Sequence, residues 1–201
     1  MLSLLIATTN LHKLDEYRLI LGDLPLHLLS LRDVGISDDV PETGTTFVEN
    51  ARIKAEAYCR MSGLPTMADD SGIEVPSLGG APGVYTARWA MPDPNDPHRH
   101  YRRLLDELQG KPFHDRIARF VCAIALARPG HEIELVEGTL MGVIEEQPRG
   151  MHGFGYDPVF YLLDYDKTLA ELPPEEKNRI SHRAQAARAA RVVIERWLAE
   201  G

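Results

Sequence analysis

The chain has 201 residues, 44% hydrophobic, 26% charged and 7% aromatic, with 16 glycines and 14 prolines, a globular composition that excludes a disordered, collagenous or repeat-built chain. Lysine and arginine number 22 against 30 aspartates and glutamates, a net charge of −8 with histidine neutral; such a surface does not suit non-specific binding to nucleic acid or anionic lipid, although a local basic pocket could hold a small polyanion. Cys59 and Cys122 form no CxxC and indicate neither a disulfide framework nor structural zinc, no stretch approaches the roughly 20 apolar residues of a membrane span, and the short run Leu2 to Ala7 lacks a signal peptide's basic leader, so the sequence reads as a soluble, reduced, cytoplasmic protein.

MLSLLIAT is a continuous apolar run ending at a polar cluster, as expected of a buried strand feeding a loop. Asn10 is placed to cap a helix in which Leu14, Tyr17 and Leu21 keep helical spacing up to a Gly22 stop. Leu26 to Leu29 is a second expected strand. From Thr46 to Met61, Phe47, Ala51, Ala55 and Tyr58 form one apolar stripe, and Gly63-Leu64-Pro65 ends that helix. A short strand, Thr66 to Ala68, is expected to be interrupted by Asp69-Asp70-Ser71-Gly72 at a sheet edge. Leu78 to Tyr85, with three glycines and a proline, is a loop.

Asp96 to Leu108 looks helical. Arg116 to Leu126 and Glu132 to Ile144 read as long strands joined at Arg128-Pro129-Gly130. A glycine-rich loop, Gly150 to Asp157, precedes a strand at Val159 to Leu163. One last helix is expected from about Pro174 to Glu200, with prolines at its start and Glu175 and Glu176 in its first turn. Early alternation and a β-rich middle predict an α/β fold around a mixed sheet, as one domain over residues 1–201 with no repeat or splitting linker.

Chemistry can sit at five places. At TTNLHK, Thr8 to Lys13, hydroxyls, an amide, a helix start and a lysine converge, which suits an anion such as phosphate as well as it suits a polar capping loop. Asp69 and Asp70 are adjacent carboxylates after an apolar strand; burial or a metal such as Mg²⁺ must compensate at least one of them, unless the segment is a surface Asp-Ser-Gly turn. Lys54 falls in the middle of the stripe made by Phe47, Ala51 and Tyr58 and must either snorkel or meet an anion. EEKNRISHR carries Lys177, Arg179, His182 and Arg183, and the stretch from Pro174 onward is +2 while the remainder sums to −10; cations in the first turns of a helix oppose its dipole, a conflict that a bound anion would resolve, although a solvated basic face is the common alternative. GFGYD, Gly153 to Asp157, joins a flexible backbone to an exposed aromatic and a carboxylate, and Phe154 could stack on a base. Two decoys are set aside: Asp164-Tyr-Asp-Lys-Thr168 mimics a phosphatase nucleophile motif but has only 33 residues after it, and His98-Arg-His100 has no companion ligand at metal spacing.

Together these segments resemble the inosine triphosphate pyrophosphatase family, the dITP/XTP pyrophosphatases. The matching stretches are ATTNLHK, ETGTTFVENARIKA, ADDSGIEV, LGGAPGVYTARWA, GFGYDPVF and EEKNRISHR, in the family's order over almost the whole chain. The resemblance implies an elongated mixed α/β fold of two lobes with the active site in the cleft between them, and a homodimer. It also implies Mg²⁺-dependent hydrolysis of a nucleoside triphosphate to the monophosphate and pyrophosphate. Thr8, Thr9, Asn10 and Lys13, with Leu11 and His12 between them, would hold the triphosphate together with Lys54 and Lys177. Asp70 would bind metal and act as the base, Asp69 would support it, Glu42 would be the other acidic group at the metal, and Ser71 would touch substrate. Phe154, Gly155, Tyr156, Asp157, His182 and Arg183 would surround the base. Pro41 precedes Glu42 where many relatives carry a second acidic residue, and Trp89 stands where tyrosine is common, a packing variation.

A preference for inosine and xanthosine nucleotides follows if donors face a 6-oxo group, because an adenine amino group would leave them unpaired. The alternatives are a pyrophosphatase for modified pyrimidine nucleotides and a nucleotide sensor without turnover.

Overall fold

Among the described residues, seven strands form one mixed sheet in the order β2-β1-β3-β4-β5-β6-β7. They are β1 (Leu2–Ile6), β2 (Leu26–Ser30), β3 (Thr66–Glu74), β4 (Ile117–Ala127), β5 (Glu134–Ile144), β6 (Phe160–Leu162) and β7 (Lys167–Thr168). The helices are α1 (Leu11–Leu21), α2 (Phe47–Ser62), α3 (Arg99–Glu107), α4 (Pro174–Ile180) and α5 (His182–Glu200). This computed structural model describes residues 1–89, 96 and 98–200. Ala90, the last residue of the LGGAPGVYTARWA stretch, lies outside the described residues. β1 runs parallel to β2 and β3, whereas β6 is antiparallel to β5 and β7, so the α/β mixed sheet is as expected.

Residue contacts divide the chain into two compact units, one made of Met1–Asp70, Cys122–Gly138 and the segment from His182, the other of Ser71–Val121 and Thr139–Ser181. In the first unit, Leu14, Tyr17 and Leu21 of α1 meet Ala186, Ala187, Ala190 and Ile194 of α5 and Leu4, Ile6, Met67, Cys122 and Ile124 of the strands. The alanines keep the helix close to its neighbours. Gly138 has the same effect on β5, since a Cβ there would strike the His182 carbonyl and come within 2.5 Å of the Ala186 nitrogen. The second unit has its own core, with Ile73, Leu104, Leu108, Phe120, Tyr156, Phe160 and Leu169. Arg116 is buried there and donates to the carbonyls of Leu108, Ile144 and Glu145. Trp89 packs against this core, with the Arg103 guanidinium 4.3 Å from its ring centroid.

The caps follow the sequence. Asn10 accepts from the amides of His12 and Lys13, Thr46 and Glu49 form a reciprocal capping box at α2, and Gly63 closes that helix in the left-handed conformation. Two expectations are overturned. β3 does not stop at Ala68 but runs through Asp69-Asp70-Ser71-Gly72 to Glu74, and it lies inside the sheet between β1 and β4, not at an edge. The final helix is two helices: Ser181 has extended backbone, φ −60° and ψ 156°, and separates α4 from α5. That break answers the dipole conflict for the two cations ahead of it, whereas His182 and Arg183 open α5, where Glu16 Oε2 lies 2.6 Å from the Arg183 guanidinium. Lys177 and Arg179 lie in the last turn of α4, where positive charge is favoured.

Candidate active site

Successive side chains on a strand point to opposite faces. Asp69 and Asp70 therefore turn to opposite sides of β3, and their hydrogen-bond donors differ. Asp69 is buried, and its Oδ2 accepts from Lys13 Nζ of α1 at 2.8 Å and lies 4.0 Å from Arg183 Nε of α5. The Cys122 thiol of β4 donates to the same oxygen at 3.9 Å, and the Tyr17 hydroxyl lies 3.8 Å from that sulfur. Burial would raise the Asp69 carboxyl, but Lys13, Arg183 and Lys54 outweigh it and hold the group well below the usual carboxylate range. Arg183 also donates to Glu16 Oε2 at 2.6 Å. The same environment disfavours a charged sulfur: burial, then the Asp69 charge, pushes the Cys122 thiol up to about 12.

Asp70 faces α2. Its Oδ2 accepts from Asn50 Nδ2 at 2.9 Å, and its Oδ1 lies 3.9 Å from Lys54 Nζ, which donates to Glu42 Oε1 at 2.6 Å. Lys54 therefore meets carboxylates and does not snorkel. Burial would lower its ammonium, yet the charges of Asp69 and Asp70 and the bond to Glu42 raise it. The Asp70 carboxyl is raised by burial, with Lys54 and Asn50 opposing and Glu42 adding to the rise.

Glu42 and Asp70 thus both approach the Lys54 ammonium. Two hard carboxylate oxygens, with the remaining shell left to water and phosphate, are a donor set that suits Mg²⁺. Among the described residues there is no group of three or more His, Cys, Asp or Glu that would cage an ion by itself. Three cations (Lys13, Lys54 and Arg183) stand among four carboxylates (Glu16, Glu42, Asp69 and Asp70), so a divalent ion fits the charge balance a polyanion would need.

The other predicted residues fall as follows. Thr8 Oγ1 accepts from the Asn10 amide, Thr9 and His12 are exposed, and Leu11 points to solvent at 72% exposure. His12 and Lys13 donate their amides to the Asn10 cap, so the anion-binding capacity of this corner rests on hydroxyls and Lys13. His182 is buried at the first residue of α5, and Ser71 is half-buried on β3. The second unit gathers Phe154, Asp157 and Lys177. Asp157 Oδ2 accepts from Lys177 Nζ at 2.7 Å and from the Phe154 amide at 2.9 Å, and the Lys177 ammonium lies 4.8 Å from the Phe154 ring centroid. Asp157 and Tyr156 are buried and Phe154 is partly covered, contrary to the exposed aromatic and carboxylate expected of this loop. Gly155 links them, and the Tyr156 hydroxyl donates to the Thr86 carbonyl at 3.1 Å.

Sequence reasoning missed Glu16, Tyr17, Cys122 and Asn50. For Asn50 a signal existed: it lies three residues after Phe47 on the same apolar stripe that exposed Lys54.

The Ham1 family profile matches residues 4–192. The chain is 52% identical over 186 residues to a dITP/XTP pyrophosphatase of Geobacillus kaustophilus, covering 92% of this chain and 91% of the relative. It is 49% identical over 186 residues to the dITP/XTP pyrophosphatase of Bacillus licheniformis, covering 92% and 94%. The solved structure of a HAM1 protein from Coxiella burnetii superposes with a TM-score of 0.88 at 39% identity, covering 98% of this chain and 100% of that one.

Proposed function

The chain belongs to the Ham1 family and is a nucleoside triphosphate pyrophosphatase, and on that premise we propose that it hydrolyses nonstandard purine nucleotides, dITP or ITP and XTP or dXTP, to the monophosphate and pyrophosphate with Mg²⁺ as cofactor. The observation that carries the reading is the carboxylate pair on β3, with Lys13 and Arg183 on Asp69 and Lys54 on Asp70.

Glu42 and Asp70 would hold the metal, which supplies positive charge against the triphosphate and the leaving group. Asp70 takes the proton of the attacking water. The water oxygen bonds to the α-phosphorus while the bond from that phosphorus to the bridging oxygen breaks, and pyrophosphate leaves with that electron pair. Lys13 and Lys54 bind phosphate oxygens and offset charge gathering on the leaving group. Asp69 keeps Lys13 and Arg183 in place. Arg183 and His182 hold the nucleoside; a cationic donor favours a 6-oxo group over an amino group.

Pyrophosphate release from dITP, XTP, dATP, dGTP and a modified pyrimidine triphosphate, with Mg²⁺ and with chelator, tests this. Release from dITP and XTP alone, lost with chelator, is expected. Equal release from dATP, or binding of dITP without release, overturns it. The reading extends to a cytoplasmic homodimer, for which sedimentation of the purified chain at a monomer's mass would be the contrary result.

A further inference from the structure

Asn50 is completely buried, and both ends of its amide are engaged. Nδ2 donates to Asp70 Oδ2 at 2.9 Å, while Oδ1 accepts the Gly44 amide at 2.8 Å. Gly44 is two residues beyond Glu42 and lies flat on the start of α2, where a Cβ would come within 2.6 Å of Glu49 Cβ and 2.7 Å of Asn50 Oδ1. One side chain thus ties the strand that carries Asp70 to the loop that carries Glu42. One helical turn further along the same face, four residues on, α2 supplies Lys54, whose ammonium meets both carboxylates.

We propose that Asn50 is a positioning residue that sets the spacing and orientation of Glu42 and Asp70, so that the two carboxylates meet one divalent cation; the inference rests on the metal-dependent reading above. A carboxylate with one oxygen pinned by an amide donor presents the other in a fixed direction. A glycine-only contact leaves the Glu42 loop little room to drift. The amide is the right group for this work, because it donates to one partner and accepts from the other, and because a fully buried amide left half-satisfied would be costly.

The test compares Asn50→Ala, Asn50→Asp and Thr46→Ala with the wild-type chain. Thr46→Ala breaks the capping box of the same helix without touching either carboxylate, and it should lower the melting temperature while leaving turnover and metal affinity as they are. Asn50→Ala should weaken Mn²⁺ binding, read by electron paramagnetic resonance without nucleotide, by about tenfold or more, the scale on which partners behind metal-holding carboxylates act. Its loss on dITP should fall on kcat more than on KM. Asn50→Asp keeps the shape and the acceptor for Gly44 but turns an oxygen toward Asp70, so it should fold and still lose kcat by about tenfold.

Asn50 variants that lower the melting temperature as Thr46→Ala does, yet keep Mn²⁺ affinity and kcat within about twofold, far below that scale, would overturn the inference. If Asn50→Ala does not fold, the kcat of Asn50→Asp decides. A wild-type chain that binds Mn²⁺ but turns over no dITP would defeat the proposed function alone, and the Mn²⁺ measurement would still judge Asn50. A wild-type chain that binds no Mn²⁺ overturns the role assigned to Asn50.

Discussion

The two units organise buried charge in different ways. In the first, Asp69 answers to cations from α1 and α5, Asp70 and Glu42 share Lys54, and Arg183 reaches Glu16 across 167 positions of sequence. In the second, Asp157 and Lys177 form a pair, both side chains 5% exposed, with one further bond to the Phe154 amide. The first is a network in which Lys54, Arg183 and Asp69 each meet two partners, so that an incoming polyanion and metal can rearrange the pairings. The second joins one carboxylate and one ammonium to a loop amide and an aromatic ring. Charge is spread over several elements in the first unit and held at one loop in the second.

That contrast can be broken at its strong end first. Asp70→Asn should reduce kcat for dITP by about 10³-fold, within the range a positioned general base contributes, with an unchanged circular dichroism spectrum; turnover near wild type would remove Asp70 from the chemistry. In the second unit, Asp157→Asn takes the carboxylate away from the buried Lys177 ammonium and should cost about 3–5 kcal/mol in denaturant unfolding. Asp69→Asn should cost less, because Arg183 keeps Glu16 and Lys13 is partly solvated; equal losses would erase the distinction between the two arrangements.

Arg183→Ala should narrow the preference for ITP over ATP by about tenfold, near the value of a hydrogen bond to a charged group, while Mg²⁺ dependence stays as it is. An unchanged ratio would show that the base is read elsewhere. The smallest effect is acid sensitivity. Asp69 is held below its ordinary pKa, so the stability it contributes is complete above the unfolded carboxylate value near 3.9 and fades as pH falls toward the folded value. Asp69→Asn should therefore flatten the fall in stability below about pH 4; an identical acid slope in both chains would show that Asp69 does not carry it.

Much of this was legible in the sequence because it is local. The stripe of α2, its Thr46 cap and Gly63 stop, and the conflict of Lys54 on an apolar face all follow from spacing alone. β3 was misread at Asp69-Asp70-Ser71-Gly72 because those residues have poor strand propensity. Ion pairs with residues as far off as Arg183 override it, and no window on the chain reveals them. The break at Ser181 was invisible because no proline or glycine interrupts the helical stretch between Pro174 and Glu200. Glu16 and Cys122 carry no signature of their own. Their roles exist only once α1, β4 and α5 share a core.

The contact at Gly138 bears on how this protein can vary. Its neighbours Glu137 and Thr139 are exposed, so a saturation library across β5 should tolerate broad replacement on either side. At 138, however, every alternative to glycine wedges the opening turn of α5 away from the strand and carries His182 and Arg183 with it. Altered nucleobase selectivity reached through that position would come bundled with a displaced helix, which makes it a poor starting point for redesign and a sharp internal ruler for how rigidly that turn must sit.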